Sequence, residues 1–468
     1  MKKNKVLNIT SLFVLIVLLP VFGNTQDSIS AESRKSQRKE IKTYLDSVHV
    51  KGPLSKQEIS GFLELANNFR FETDIPESNM GKQLSWKIGP ILGPLVGLLE
   101  VTGDRDLLSY LAKMSDYMMS ELNDTENGEI DALTEVRAPV WYWKLNKPRE
   151  GEDLNTARAR RVGNKADPSI KEKVYWADPL SNGVGYAFTG RLAVYIMKHP
   201  ELHSLPVPDA ENYNKNHGST YLEKATSWLL LGKKTYSYFL KTVWFDEERL
   251  LWALKQDPAI DKYSTDHQGF VLPYNRYFIH DLGFEYIIEG LNILDSDKYK
   301  DWNKRGEAVI RAGVDFWKKN LIVKNDERGP YYLWYYGEKA STTRGKKYED
   351  MGHGGIDFTA LAAFKKSGKY GLTEKDIGAI ENTLLHYCYN HKENKAFRFM
   401  AEPKLTCAKV GQTIAFMRMA PVSKKIYDCY APLSLEDLKL HPNHMHRRGV
   451  PHLALILTAK AEWYGVEE

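Results

Sequence analysis

The stretch PYNRYFIHDLGFEYIIEGLNILDSD, residues 273–297, contains the pattern that decides the fold. Its apolar part runs from Pro273 to Leu294, is hydrophobic on nearly every side of a helix, and ends at the turn-forming residues 295–297. A helix that is apolar all round is expected to be buried, whereas an amphipathic one keeps a face in water. After the turn, an amphipathic pattern continues to Asn320. The stretch therefore predicts a buried helix paired with a half-exposed one.

The same plan recurs in four passages, and in each the helix pair is followed by a short charged turn between aromatic strands. The buried helices are predicted to begin at Lys87, Asn182, Pro273 and His353. The charged turns are 124–128, 246–248, 325–329 and 392–394, and a last apolar helix covers 450–463. Such recurrence is typical of repeat architectures. Unequal spacing and the long excursion 123–179 argue against a regular solenoid. We predict an all-α fold, an (α/α) toroid of inner and outer helices with short β-hairpins at one end; an open superhelix is the alternative.

The N-terminus indicates export. Three lysines at positions 2, 3 and 5 precede an apolar run, 6–22, and a small, polar stretch, 23–26, which together are typical of a secretory signal. We predict a signal peptide at 1–24, a polar lead-in with a short helix at 25–55, and one toroidal catalytic domain at 56–468. An uncleaved anchor helix is the alternative. The mature protein is expected to be secreted or periplasmic, with no membrane contact.

Composition excludes several classes of protein. Only Cys388, Cys407 and Cys429 are present, so the chain is not a disulfide scaffold, although one bond is possible. The net charge of +5 falls to about +2 once the signal lysines are removed, and no basic stripe of the kind that binds nucleic acid is present. Aromatic residues make up 12% of the chain, and many lie outside helical patterns, where carbohydrate binding is one reason to keep them. No cofactor is expected, and the oligomeric state cannot be deduced.

The segment Tyr331–Asp357, YYLWYYGEKASTTRGKKYEDMGHGGID, is the strongest candidate for a site. It places five aromatic residues in its first six positions and ends on acidic residues and a histidine. Sugar rings stack on aromatic faces, while carboxylates and imidazoles bind hydroxyl groups, so the pattern indicates a sugar site. The expected substrate-binding residues are Trp141, Trp143, Asn182, Tyr186, Arg276, Trp334, Tyr336, Glu349, Asp350, His446 and Arg447. An ordinary strand and a helix cap would explain the same segment without a site.

Two chemistries fit such a cavity. Glycoside hydrolysis needs two carboxyl groups flanking the scissile bond, and the candidates are Glu349, Asp350 and Asp357. Elimination from a uronate needs Asn, His or Arg at the sugar carboxylate, a base for the C5 proton and an acid for the leaving oxygen. Asn275, Arg276 and His280 supply the first group, and His353 is a candidate base whose tautomer Glu349 or Asp350 would fix.

A resemblance to a known family enters with His280, Arg328 and Tyr335. The predicted toroid, an arginine well downstream of a histidine, and a tyrosine seven residues after that arginine resemble the alginate-lyase type of polysaccharide lyase. The resemblance covers about the middle third of the chain. It implies that His280 and Arg328 flank the substrate carboxylate and that Tyr335 transfers the proton.

The chain departs from that family at one position. The family has Asn directly before the histidine, whereas this chain has Ile279, and the nearest asparagine is Asn275. Residues five apart on a helix need not share a face. The carboxylate binder is therefore either His280 or Asn275 with Arg276, and in the second case His280 packs between helices.

A histidine-rich stretch, HPNHMHRRGVPH at 441–452, is a weak metal candidate. Dense imidazoles can bind Zn²⁺, but the spacing matches no standard structural site and no cysteine is near. We predict no metal, and we place His446 and Arg447 among the substrate contacts. The sequence thus favours an exported lyase that cleaves a uronic-acid polysaccharide, alginate- or glucuronan-like, by β-elimination. A glycoside hydrolase, a uronyl C5-epimerase or a non-catalytic glycan-binding protein remain alternatives.

Overall fold

The computed structural model describes most of the chain outside the N-terminal segment and several loops. The described residues are 31–68, 81, 84, 88–146, 161–162, 165–166, 173–208, 217–255, 269–338, 348–393, 395–402, 406–407, 413–442 and 449–467. The predicted signal peptide, His446 and Arg447 lie outside them. Helices dominate the described residues, and the sheets are small, which confirms the all-α prediction.

The elements follow the chain in the order below. The helices are α1 (Ala31–Ser47), α2 (Lys56–Asn68), α3 (Gly89–Thr102), α4 (Arg105–Ser120), α5 (Pro179–Lys198), α6 (Tyr221–Phe239), α7 (Tyr274–Lys319), α8 (Met351–Ser367), α9 (Glu374–Asn382), α10 (Thr413–Met417), α11 (Lys424–Leu440) and α12 (Val450–Tyr464). The strands are β1 (Tyr142–Asn146), β2 (Arg161–Val162), β3 (Lys165–Ala166), β4 (Lys173–Ala177), β5 (Phe245–Asp246), β6 (Leu251–Trp252), β7 (Ile322–Asp326), β8 (Gly329–Leu333), β9 (Tyr389–Asn390), β10 (Lys395–Phe397) and β11 (Thr406–Cys407).

Helix α7 contains the break that the sequence predicts. Asp295 leaves helical geometry, with φ −166° and ψ 93°, and its side chain accepts a hydrogen bond from Lys298 N at 3.0 Å. The half before the break is buried on nearly all sides, and the half after it is buried on one. α7 is therefore two helices that meet at a kink. The Asp295 side chain caps the second helix and replaces a backbone hydrogen bond that is lost at the kink.

The strands form antiparallel pairs that mostly match the predicted hairpins. β5 pairs with β6, β7 with β8, and β10 with both β9 and β11. Three of the predicted turns therefore join strands. The first prediction was wrong, because 124–128 is a turn after α4 that joins no strand pair, and β1 pairs instead with the distant β4.

The apolar helices contact one another in chain order. α3 packs on α5, α5 on α7, α7 on α8, α8 on α10, and α10 on α12, while α12 also packs on α3. The α5–α7 contact is close, since a Cβ on Gly183 would lie 2.5 Å from His280 Cα. Glycine at this position therefore allows the two buried helices to touch through their backbones.

The predicted polar lead-in is partly built into the core. Ile41, Leu45 and Val48 on one side of α1 and after it are buried, and Tyr427 OH donates to Val50 O at 2.6 Å. A buried ion pair of 2.6 Å between Glu58 and Lys460 joins α2 to α12. The N-terminal part of the described chain is therefore held against its C-terminal helices.

Two further predictions concern cysteines and membranes. Cys388 and Cys429 are free thiols. Within the described residues, we find no helix that combines the length and the apolar character needed to cross a bilayer.

Candidate active site

The segment that leads into α8 lies between two neighbouring stretches of extended chain. On one side Tyr348 pairs with Tyr335, and Glu349 N donates to Trp334 O at 2.9 Å. On the other side Asp350 pairs with Phe399. Backbone pairing on both edges fixes the position of Glu349 and Asp350, so these side chains are presented by a rigid support rather than a free loop.

Asp350 and His353 form a hydrogen-bonded pair on the first turn of α8. One carboxylate oxygen of Asp350 accepts from Gly352 N at 2.9 Å and from His353 N at 3.1 Å, which caps the helix. The other oxygen lies 2.5 Å from His353 Nδ1. Burial raises the pKa of Asp350, but the hydrogen bonds and charge of His353 outweigh it and hold that pKa below its usual range. Asp350 thus fixes the imidazole through Nδ1, and Nε2 is the ring nitrogen suited to exchange a proton.

Tyr336 is the tyrosine that reaches this pair. Its ring centroid lies 5.2 Å from that of His353, with the rings at 73°. Its carbonyl accepts a hydrogen bond of 3.2 Å from Tyr274 N, which ties it to the start of α7. Tyr335 instead stacks on Tyr348 at 5.3 Å. Successive side chains in extended chain point to opposite faces, so only one of the two tyrosines can contact His353.

Behind the pair lie two carboxyl groups, Glu349 and Asp357. Both side chains are fully buried, they hydrogen-bond to each other, and Trp334 Nε1 donates to Asp357 Oδ2 at 3.1 Å. Burial raises the pKa of each well above its usual value, and for Glu349 the charges of Asp357 and Asp350 add to this. Because two adjacent buried carboxylates cannot both ionise cheaply, the Glu349–Asp357 pair holds a proton more tightly than free carboxyl groups do.

This proton predicts a pH dependence of stability. In the unfolded chain both carboxyls titrate near pH ~4, whereas the folded protein holds the proton more tightly. Their contribution is fully present below the unfolded pKa and is lost as the pH rises towards the folded pKa. In the wild type, the free energy of unfolding should therefore fall as the pH rises above ~4. In Asp357→Asn this fall should be smaller. Urea denaturation at a series of pH values measures this. Glu327→Gln, at a side chain 84% exposed, is the control. An unchanged pH profile in Asp357→Asn would contradict the shared proton.

The three tryptophans expected to stack sugar rings are in the core instead. Trp141, Trp143 and Trp334 are each 0% exposed. Trp141 Nε1 donates to Met118 O at 2.7 Å, and its ring lies 4.9 Å from that of Tyr186. Each ring is enclosed by protein atoms. None of the three tryptophans therefore has a ring face that a ligand can reach in this conformation.

A matching prediction concerns folding stability. Trp141→Ala should lower the free energy of unfolding by about 3–5 kcal/mol, because it removes a fully enclosed aromatic ring and leaves a cavity. Chemical denaturation measures the change. Leu440→Ala, at a side chain 66% exposed, is the control and should lie close to wild type. If Trp141→Ala is as stable as the control, the Trp141 ring is not enclosed in the core.

Other residues predicted to line the cavity are also structural. Asn182 bonds the backbone of Trp141 and Asp178. Tyr186 is fully buried, with its hydroxyl 3.0 Å from Thr235 Oγ1. These contacts hold Trp141, just before β1, and α6 against α5. Both side chains are 0% exposed, so neither is accessible to a substrate.

His280 lies in an aromatic cage. Its ring is 4.6 Å from that of Trp252, and rings of Tyr236 and Phe239 also contact it. Nδ1 lies 3.0 Å from Pro179 O, and burial lowers the pKa of His280 to about 3. The imidazole therefore stays neutral inside the core. His280 packs between helices, as in the second alternative above, and does not have the carboxylate-binding role that the resemblance implied.

Asn275 and Arg276 lie at the start of α7. Asn275 is 1% exposed, and within the described chain its Oδ1 accepts no hydrogen bond. Arg276 lies 3.8 Å from Asp178, the residue that caps α5. This contact joins the N-terminal ends of α5 and α7, so the structure gives Arg276 a partner within the protein.

Arg328 is far from the predicted tyrosine. It lies at the tip of the β7–β8 hairpin, 46% exposed, with Asp326 at 3.6 Å. β8 runs from Gly329 to Leu333. At roughly 3.3 Å per residue, the seven residues from Arg328 to Tyr335 span roughly 23 Å where the chain is extended. The predicted pairing of Arg328 with Tyr335 is therefore not formed, because linear spacing along a strand is also spatial separation.

One metal-like arrangement occurs in the described chain. Ligand atoms of Glu349, Asp350 and His353 lie within 4.8 Å of one another. The bonds of Asp350 to the helix start and to the imidazole already explain the arrangement of these residues. Of the predicted histidine cluster, His441 lies 4.0 Å from Asp437 and His452 is buried in α12. The expectation of no metal stays a prediction.

Sequence reasoning missed two features of the site. It proposed Asp357 only for hydrolysis, and it did not pair that residue with Glu349 or with Trp334. It also missed Tyr274, whose hydroxyl is buried and accepts or donates no hydrogen bond among the described residues. Burial and the nearby acidic groups, including Glu338, raise the pKa of Tyr274. No sequence signal connects these residues, because strand pairing and helix packing bring them together.

Comparisons with known proteins do not identify the site. No protein-family model matches this chain, and the comparison with curated proteins finds no match.

Proposed function

We propose that this protein is an exported polysaccharide lyase that cleaves a uronic-acid-containing chain, alginate- or glucuronan-like, by β-elimination. The observation that carries the proposal is the Asp350–His353 pair on the accessible first turn of α8, with Tyr336 against the imidazole. The side chains of His353 and Asp350 are 21% and 29% exposed, whereas the carboxyls of Glu349 and Asp357 are enclosed.

The pair, together with Tyr336, provides groups for the two proton transfers of elimination. His353 Nε2 removes the C5 proton of the uronate, and Asp350 stabilises the imidazolium that forms. The electron pair of the C5–H bond forms the double bond between C4 and C5, and the bond from C4 to the glycosidic oxygen breaks. Tyr336 then donates its hydroxyl proton to the leaving oxygen. Solvent then takes the extra proton from His353 and returns one to Tyr336, which resets both residues.

Hydrolysis fits the described residues less well. A glycosidase needs two carboxyl groups, about 5–10 Å apart, that both face the scissile bond. Glu349 and Asp357 hydrogen-bond to each other and have no exposed surface. Asp350 is accessible, but it already accepts three hydrogen bonds at the start of α8.

We also propose that the buried helices close into an (α/α) toroid. Support comes from their contacts, which run from α3 through α5, α7, α8, α10 and α12 and return to α3. The starts of α7 and α8 both contact the chain around Tyr336. In a toroid these starts would lie at one end, where the site would open to a long polymer.

Incubation with a panel of polysaccharides tests the function. The purified mature protein is mixed with alginate, glucuronan, pectate and glycosaminoglycans, and with a neutral glucan as control. An unsaturated uronate absorbs in the far ultraviolet, and we expect this absorbance to rise with at least one uronate polymer. New reducing ends without the absorbance would indicate a hydrolase, and no turnover of any polymer would indicate a binding protein.

A further inference from the structure

Arg418 lies half-buried against α8, in the turn that follows α10. Its Nη1 donates to Thr359 Oγ1 at 2.6 Å. The contact depends on close packing of the two helices, since a Cβ on Gly355 would lie 3.1 Å from Ala415 Cβ. Glycine at this position therefore brings the guanidinium of Arg418 against the side of α8.

The charge of Arg418 is not balanced within the described chain. No acidic side chain there lies within ion-pair distance of it, and burial lowers its pKa to about 10. Arg191 provides the contrast, because it pairs with Glu100 at 2.6 Å, and that charge raises its pKa. A desolvated guanidinium usually pairs with a carboxylate or another anion.

A second buried polar group, His452, lies near enough to feel the charge of Arg418. His452, on the first turn of α12, is 1% exposed, and in the part of the chain that the structure describes its Nε2 makes no hydrogen bond. Burial and the charge of Arg418 lower the pKa of His452 to about 3. The imidazole is therefore neutral, does not repel Arg418, and can offer an N–H to an anion.

Arg418 contacts α8 on a face that begins beside the proposed catalytic pair. Gly352 is exposed, and Ile356 and Thr359 are partly exposed, at the helical spacing that forms one face. His353 follows Gly352 at the start of this face, and Arg418 contacts the face at Thr359. Six residues separate His353 from Thr359, which is about 9 Å along the axis. A polymer lying along this face could reach both.

We propose that Arg418, with Thr359 and His452 beside it, is an oxyanion subsite that takes a carboxylate or sulfate group of the polysaccharide. The identity of the polymer rests on the proposed function. The subsite selects chains with an anionic group away from the cleaved bond, so it favours polymers over single sugars.

Thermal denaturation with small anions tests the subsite without any need for turnover. The melting temperature is titrated with sodium acetate and with sodium sulfate, at constant ionic strength, for the wild type, Arg418→Gln, Arg418→Lys and Arg311→Gln. Arg311 is the matched control, an exposed arginine that donates to Lys369 O at 2.6 Å. Gln at 418 removes the charge and keeps a polar side chain, and the melting temperature without added anion checks that the fold survives.

We expect a saturable rise in melting temperature for the wild type and Arg311→Gln, since an anion that binds only the folded state stabilises it. Arg418→Gln should weaken the apparent affinity about tenfold or more, and Arg418→Lys should retain part of it. A response to acetate supports a uronate carboxylate, and a response to sulfate alone supports a sulfated chain. Equal responses of Arg418→Gln and the wild type to both anions would overturn the subsite.

The outcomes separate this inference from the proposed function. Anion binding that depends on Arg418, together with no cleavage of any polysaccharide, keeps the subsite and rejects the lyase. Cleavage of a uronate polymer, together with anion responses that ignore Arg418, keeps the lyase and rejects the subsite.

Discussion

His353→Ala is expected to lower kcat for polysaccharide cleavage about a hundred- to ten-thousandfold, because it removes the group that abstracts the C5 proton. The fold should change little, since His353 is partly exposed and Asp350 still caps α8 through Gly352 N and the backbone N–H of residue 353. Initial rates of formation of unsaturated product measure kcat, and the melting temperature checks the fold.

His199→Ala is the matched control for this experiment. His199 also pairs through Nδ1 with a carboxylate, Glu201, at 2.9 Å, but it lies at the C-terminal end of α5. The start of that helix, not its end, contacts the start of α7, through Asp178 and Arg276. We expect wild-type kcat in this variant. If His353→Ala and His199→Ala are equally active, His353 is not the base and the account of the site is wrong.

Tyr336→Phe is expected to reduce kcat about a hundredfold or more, because it removes the hydroxyl that protonates the leaving oxygen and keeps the ring. The ring still packs against His353, so substrate affinity and thermal stability should stay close to wild type. Steady-state kinetics with separate kcat and KM values distinguish loss of proton transfer from loss of binding.

Tyr335→Phe is the natural control, because the two tyrosines are neighbours and differ only in the direction of their side chains. Tyr335 stacks on Tyr348, away from the Asp350–His353 pair. Its variant should keep nearly normal kcat. The opposite result, with Tyr335→Phe inactive and Tyr336→Phe normal, would restore the assignment that the family resemblance implied.

The helical class and the break within α7 could be predicted from sequence, because they depend on local signals. The Pro273–Leu294 segment is apolar on all sides, and it forms the buried half of α7. The break at residues 295–297 contains an aspartate that caps the next helix. Asp350 and His353 are three residues apart, and that spacing suits a cap and a side-chain pair on one helical turn.

The roles of the aromatic residues could not be predicted, because burial is a tertiary property. Trp141, Trp143 and Trp334 lie in or next to short strands, as expected. An aromatic ring stacks on the core if its side of the strand packs against the helices, and it can stack on a ligand only if it lies on the other side. Gly185 illustrates the point, since a Cβ there would lie 2.4 Å from the Trp141 ring, and only the folded structure shows this fit.

The predicted partnership of His280, Arg328 and Tyr335 failed for a related reason. Spacing along the chain does not give spacing in the molecule unless the intervening structure is known. β8 separates Arg328 from Tyr335, and α5 and α6 enclose His280. Arg418 gave no sequence signal, because its unbalanced charge appears only once the surrounding helices are in place.

Mass spectrometry of the products of a uronate polymer tests the central claim most directly. Elimination breaks the chain without adding water, whereas hydrolysis adds one water for each bond broken. Wild-type protein is incubated with the polymer that it cleaves fastest, and His353→Ala is incubated in parallel. The account predicts new ends that are lighter by one water than hydrolytic ends, formed by the wild type and nearly absent with His353→Ala. Products that carry the added water would contradict it.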